Sequence, residues 1–318
     1  MIDVRNLTKI YGNRAALDGL SFSVPKGAIL GFLGPNGAGK TTTMRILTGQ
    51  ARATAGTAEI DGCDVQKEHR KVRSFIGYLP EDSPAYPEMT VEKYLAFMAG
   101  MKLIPRREIS SEIDRVLTET RLVDARKRLC GNLSKGMRQR VGIAQAMMGD
   151  PKVIILDEPT VGLDPSQITH VRDLIKRMAE NRTVIFSTHI LPNVSAVCSH
   201  VVIINNGKIV TQGPVGEIGR SYGGRRLVVV ARGDKEKLLQ LAAEHVERER
   251  IKVTEEGASV WRIDFPEEDE DLDIRPQLSA SVVSADLELL EISRHEATLE
   301  DIFIRATNMP QTEEVAPA

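Results

Sequence analysis

The feature that most constrains this chain is Gly34-Pro-Asn-Gly-Ala-Gly-Lys-Thr41, which follows the apolar run Ile29 to Leu33 and opens into an amphipathic segment, Thr41 to Thr48. A strand, a glycine-rich turn and a helix in that order let successive backbone N–H groups point inward, because glycine accepts backbone angles that side chains resist. The helix behind the turn adds its positive end, so the turn is suited to phosphate. In a G-x-x-x-x-G-K-[ST] loop the lysine reaches the β- and γ-phosphates and the hydroxyl ligates Mg2+, which assigns Lys40 and Thr41 to ATP and its metal. The predicted nucleotide-binding segment is Gly34, Pro35, Asn36, Gly37, Ala38, Gly39, Lys40, Thr41 and Thr42.

Such a loop needs a partner that handles water. Val153 to Leu156 lead into Asp157-Glu158, placing two carboxylates at the C-terminal end of a predicted strand, where open α/β sheets bind ligands. Asp157 is expected to hold Mg2+ through its water shell, and Glu158 to orient the water that attacks the γ-phosphate. An Asp-Glu pair by itself is an ordinary solvated strand end; its pairing with the phosphate loop makes it specific. Upstream, Leu133-Ser-Lys-Gly-Met137 puts Ser134 at a helix N-cap and Gly136 in the first turn, a second anion-seeking helix end.

Apolar runs at Ile29 to Leu33, Phe75 to Leu79, Val153 to Leu156, Val184 to Phe186 and Val201 to Ile204 read as buried strands. Amphipathic segments lie between them, at Val91 to Met101, Ile109 to Thr120, Gly136 to Met148 and Ser166 to Ala179. The alternation predicts an α/β fold, a largely parallel sheet with helices on both faces, interrupted by a helical subdomain at about 82–150. A glycine-rich stretch, Gly219 to Gly224, marks a linker. The expected domains are therefore 1–219 and 220–308, with a disordered tail at 309–318. In the second, strands at Leu227 to Ala231, Ile251 to Val253, Ser259 to Phe265 and Leu287 to Ile292 alternate with helices at Lys235 to His245 and Leu272 to Ala280. That order, βαββαβ, predicts a smaller α+β domain of ferredoxin-like form, followed by a short helix at Leu299 to Thr307, with Trp261 facing its core. The acidic run Glu267 to Asp273 reads as a solvated loop.

Composition narrows the partners. Lysine and arginine number 42 against 44 acidic residues, a net charge of −2 that offers nothing to a polyanion, so no nucleic-acid partner is expected. The three cysteines, Cys63, Cys130 and Cys198, have neither disulfide pairing nor zinc spacing, and the N-terminal residues lack the pattern of a secretory signal. Both observations point to the cytoplasm. No apolar run approaches the roughly 20 residues needed to span a bilayer, so membrane association is expected to go through a partner.

In motif order, residues 1 to about 215 resemble the nucleotide-binding subunit of an ABC transporter. Leu133 to Met137 is similar to that family's LSGGQ signature, with Lys135 and Met137 replacing Gly and Gln while Ser134 and Gly136 are kept. The resemblance implies a P-loop NTPase fold of ABC type and a dimer in which Ser134 and Gly136 of one copy meet the γ-phosphate held by the other. It further implies that Tyr11 stacks on adenine, that Asp164 in Gly162-Leu-Asp-Pro165 links the two sites, and that His189 in Ser187-Thr-His189 contacts the γ-phosphate beside the catalytic Glu158 and Lys40. After Phe75 to Leu79 the family usually has glutamine, where this chain has Glu81, a candidate Mg2+ ligand that cannot donate as an amide does.

Glutamate there resembles ATPases of ABC-2-type exporters. Ile76-Gly-Tyr-Leu-Pro-Glu81, Leu133 to Arg140 and Ser187-Thr-His-Ile-Leu-Pro192 look closest to the gliding-motility-associated branch. The implied function is that of a transport ATPase, hydrolysing ATP to drive a separate integral-membrane permease from the inner face of the cell membrane. A soluble ABC-type translation factor would join two ATPase units, and a DNA-repair ATPase would insert a long coiled coil between phosphate loop and signature. One phosphate loop and no sustained heptads disfavour both.

Overall fold

The computed structural model describes residues 2–82, 85–218, 225–266, 273–296 and 298–308. The predicted linker at 219–224, residues 267–272 of the acidic run and the tail from 309 onward lie outside the described residues. The chain forms two compact units, Met1–Val215 and Gly216–Ala318.

In the first unit, the strands β3 (Ile29–Leu33), β6 (Ile76–Leu79), β7 (Val153–Asp157), β8 (Thr183–Thr188), β9 (His200–Asn205) and β10 (Lys208–Pro214) form one sheet in the order β10-β9-β3-β8-β7-β6. All neighbours are parallel except β10, which turns back antiparallel along β9. Every residue of β3, β7 and β8 is buried, as strands covered on both faces must be. Their alternation feeds two cores. Ile154, Leu156, Val184 and Phe186 face one, and Val153, Ile155 and Ile185 face the other.

The first core is helical. It receives α3 (Val91–Met101), α4 (Ile109–Glu119), α5 (Lys135–Met147) and α6 (Pro165–Ala179), with α7 (Leu191–Val197) alongside. The second core corrects the expectation of helices on both faces. Beside α1 (Lys40–Leu47) it is closed by an antiparallel sheet in the order β2-β1-β4-β5, made of β1 (Ile2–Tyr11), β2 (Arg14–Val24), β4 (Ala55–Ile60) and β5 (Cys63–Asp64). These strands bury only one face: Ile2, Val4, Leu20, Phe22 and Val24 point inward while Arg5, Ser21 and Ser23 stay exposed. Such half-polar strands do not read as apolar runs. A short helix, α2 (His69–Phe75), leads into β6.

Two contacts tie the helical region to the sheet. Gly77 of β6 lies so close to α5 that a Cβ there would sit 1.8 Å from the Ala146 carbonyl oxygen. Beside it the Gln145 amide donates to the Tyr78 carbonyl at 3.3 Å. The C-terminal end of α5 is also held from α3 and α4, where Lys102 donates to Met148 O (2.8 Å) and Arg115 to Met147 O (2.9 Å). Burial pushes the Lys102 ammonium down to about 8.

The second unit contains β11 (Arg225–Arg232), α8 (Lys235–Ala243), β12 (Lys252–Gly257), β13 (Val260–Pro266), α9 (Arg275–Ser284) and β14 (Glu288–Glu296), followed by α10 (Leu299–Asn308). The sheet order β12-β13-β11-β14, antiparallel throughout, is the ferredoxin-like arrangement expected from βαββαβ. Leu227, Val229, Ile263 and Phe265 pack on Leu238 and Leu278, and Trp261 packs against this core with Lys235 Nζ 5.2 Å from its ring centroid.

A matched pair of substitutions tests the contact between α5 and β6. Gly77→Ala forces backbone apart and is expected to cost about 3 kcal/mol in urea unfolding. Gly100→Ala, inside α3 with open space around it, is expected to stabilise by roughly 0.5–1 kcal/mol.

Candidate functional site

The turn between β3 and α1 is fixed by space as well as by glycine's freedom. Gly39 has φ 110°, and a Cβ on it would sit 2.8 Å from the Ala16 carbonyl oxygen and 2.6 Å from Leu17. It precedes α1, whose first turn has no side-chain cap, so its N–H groups are left for an anion. Ala38 is buried beneath the turn, while Asn36, Gly37 and Thr42 face the cavity in front of it.

Lys40 is only 6% exposed. Its ammonium donates to Gly34 O (2.8 Å) and Pro35 O (3.2 Å), folding the side chain back over its own loop, and lies 3.4 Å from Glu158 Oε1. That same oxygen lies 3.0 Å from His189 Nδ1. Glu158 Oε2 is buried with no partner. The residue sits at φ 48°, a left-handed conformation costing a side chain about 1–2 kcal/mol. Two hydrogen bonds hold it there: Glu158 N donates to Ser187 Oγ at 3.0 Å, and Val161 N closes a turn onto Glu158 O at 3.3 Å.

Asp157 ends β7 with no exposure. Its Oδ1 accepts the Ser187 hydroxyl, and Oδ2 has no partner. Burial pushes its pKa up, in spite of the Ser187 bond and the nearby Thr41 hydroxyl, which lower it. A buried carboxylate oxygen without a partner, beside a threonine hydroxyl, is a hard oxygen donor set, so Thr41 and Asp157 fit Mg2+.

Around these groups lies a cavity of about 550 Å3, within the range of small-molecule sites. Lys40, Thr41, Glu81, Glu158 and His189 line it toward the sheet, and Tyr11 lines it as well. Tyr11 is 49% exposed, with Lys9 Nζ 4.8 Å from its ring centroid. The chain thus brings together the phosphate loop, Asp157, Glu158, His189, Glu81 and Tyr11. Ser134, Gly136 and Asp164 do not line this cavity. Ser134 is exposed and caps α5 through Met137 N at 3.3 Å, and Gly136 is packed under Gln167 of α6. Asp164 caps α6, accepting from Gln167 N (2.9 Å) and the Ser166 hydroxyl (2.7 Å), and the latter bond lowers its pKa.

Arg14, Ala16 and Val161 line the cavity too, and motif reading missed them. Arg14 pairs directly with Tyr11 across the turn Gly12-Asn13. A two-residue Gly-Asn hairpin signal would have placed it there.

A family model described as ABC transporter matches residues 17–161. The bacitracin transport ATP-binding protein BcrA of Bacillus licheniformis is 34% identical over 307 residues, 96% of this chain and 96% of that one. The chain belongs to the ABC transporter ATP-binding family. As a member it is an ABC-type P-loop ATPase. The uncharacterised ABC transporter ATP-binding protein YdbJ of Bacillus subtilis is 33% identical over 98% of this chain and 97% of its own. An ABC transporter ATP-binding subunit of known structure is 29% identical with a TM-score of 0.64, covering 70% of this chain and 93% of that one.

Removing one partner of the buried Lys40–Glu158 pair leaves the other charge uncompensated. Lys40→Ala is expected to cost about 3 kcal/mol in nucleotide-free urea unfolding. In a Glu158→Gln background the same substitution should cost less than half as much, a coupling read from the double-mutant cycle.

Proposed function

We propose that this ABC ATPase is the motor subunit of a transporter, in which two copies close on two ATP molecules and drive a separate membrane permease. The incompleteness of the cavity carries this reading. It is lined by the phosphate loop, Glu158 and His189, with Asp157 buried next to Glu158 in the chain, yet Ser134 and Gly136 stand elsewhere on the chain. A second copy presenting the exposed Ser134 and the start of α5 to this phosphate loop completes the site. Asp164, at the head of α6 and packed through Gln167 near Gly136, then connects one site to the other.

Within each site Tyr11 stacks on the adenine, and the N–H groups from Gly34 to Thr42 surround the phosphates. Thr41 and Asp157, with Glu81 at the cavity edge, would hold Mg2+, which would supply charge neutralisation for the phosphates. Lys40 neutralises charge on the γ-phosphate as well. Glu158 accepts a hydrogen bond from the attacking water and orients it in line, while His189 fixes the carboxylate and contacts the γ-phosphate.

The permease partner is supported by two observations. Among the described residues no helix is long and apolar enough to cross a membrane. Beyond Glu81, Tyr86 and Phe97 expose large apolar surface (44% and 42%) and stack edge to face at 5.8 Å, a patch suited to a protein partner. On this reading the chain sits peripherally on the cytoplasmic face of the membrane, held there by the permease. Glu81 and its flanking phrases favour the ABC-2-type exporters and the gliding-motility-associated branch. The likeness to a bacitracin transport protein along nearly the whole chain also favours transport.

The reading is tested by Glu158→Gln. Hydrolysis should fall at least 100-fold while ATP binding persists, and size-exclusion chromatography with Mg-ATP should show a stable dimer. Unaltered turnover in that variant removes Glu158 from the role assigned here.

A further inference from the structure

Two turns meet beneath the cavity, one carrying Glu158 after β7 and the other carrying His189 after β8. They are joined twice. The upper link is the contact of His189 Nδ1 with Glu158 Oε1, and the His189 side chain is 42% exposed. The lower link is wholly buried: Asn193 Nδ2 donates to Thr160 Oγ1 at 2.7 Å, with the two residues 1% and 2% exposed.

One end of the lower link lies in the Glu158 turn, and the other, Asn193, lies in the first turn of α7, which begins two residues after His189. Thr160 lies inside the turn closed by Val161 N on Glu158 O, and Asn193 N closes the next turn onto Ile190 O at 3.1 Å. The amide is oriented from a third element. Arg172 of α6 donates through Nε (2.9 Å) and Nη2 (2.7 Å) to Asn193 Oδ1, leaving the amide NH2 only one way to face. An apolar pair of equal size would fill the same space without needing bonds, so packing alone does not call for a carboxamide here. None of the three residues lines the cavity. The left-handed backbone of Glu158 is the kind of local strain that persists only when neighbouring structure over-determines it.

We infer that Asn193 is a positioning residue for the hydrolytic step: with Thr160 and Arg172 it holds the Glu158 and His189 turns in register, so that the carboxylate stays aimed at the attacking water. The inference rests on the reading of Glu158 and His189 as the hydrolytic pair. Because the brace touches no part of the cavity, it sets the rate of chemistry and leaves nucleotide affinity alone. Through α6, the helix capped by Asp164, it also links those turns to α5, whose Gly136 lies against Gln167 of α6.

Steady-state ATPase kinetics on the full chain, with binding of a fluorescent ATP analogue measured in parallel, test this. Asn193→Leu should lower kcat about 10-fold with KM and analogue Kd within two-fold of the parent. Thr160→Val, nearly isosteric and safer for folding, should do the same, and the double variant should be no worse than either single one. Asn193→Asp should retain most of the rate, since its carboxylate still accepts from Arg172 and the Thr160 hydroxyl can turn to donate. Parent-like kcat in Thr160→Val, an Asp variant as slow as the Leu variant, or kcat and affinity falling together with Tm would each overturn the brace. Glu158→Gln serves as the control. Loss of hydrolysis there with unaffected Asn193 and Thr160 variants sinks the brace alone, whereas retained turnover there sinks the hydrolytic reading and the brace with it.

Discussion

Lys40 and Glu158 face each other at 3.4 Å, each with a side chain less than a tenth exposed. Taking two such charges out of water costs several kcal/mol apiece, and their attraction offsets that only if the remaining hydrogen-bonding capacity is met. For Lys40 it is met by two carbonyls of its own loop. Glu158 has His189 on Oε1, while Oε2 is left bare. The pair therefore requires β3, β7 and β8 to lie side by side with their ends level, which the parallel registers Leu33↔Thr188 and Asp157↔Ser187 supply. The doubly covered sheet is the means by which this charge arrangement is kept dry and in place.

Strands buried on both faces were legible because burial leaves them uniformly apolar: Ile29 to Leu33 is β3 itself, and Val153 to Leu156 lacks only Asp157 of β7. Amphipathic helices were legible for the opposite reason, their one-sided periodicity, and Val91 to Met101 coincides with α3. What stayed hidden was half-covered or short. The exposed residues of β2 and β4 are mostly polar or small, α2 and α7 have seven residues each, too few for a periodic signal, and β10 has no fully buried residue.

The site divides along the same line. Residues fixed by backbone chemistry, such as Gly39, Lys40 and Thr41, announce themselves through spacing, because the loop can be made in few ways. Residues fixed by tertiary meeting do not. Arg172, Asn193 and Thr160 come from three separate elements, and nothing in their local sequence indicates that a carboxamide bridges two turns. The sharing of one Glu158 oxygen between Lys40 and His189 is equally invisible before folding, since it depends on a left-handed backbone at a residue that is not glycine.

The contact between α5 and β6 limits how the proposed clamp can move. Ser134 stands at the start of α5 and Glu81 follows the end of β6, and the two elements touch at Gly77 and Ala146 with no room for a methyl group. Sliding one over the other would break the Gln145–Tyr78 bond and drive backbone into backbone. A shift of Ser134 toward a second copy must therefore carry β6 along or be absorbed where the helical region joins the sheet. Gly149 and Asp150 already hold left-handed conformations at one such junction, with φ of 76° and 47°. The position of the signature helix and the position of Glu81 are then one variable, which would give the proposed permease contact near Tyr86 a direct mechanical route to the edge of the nucleotide cavity.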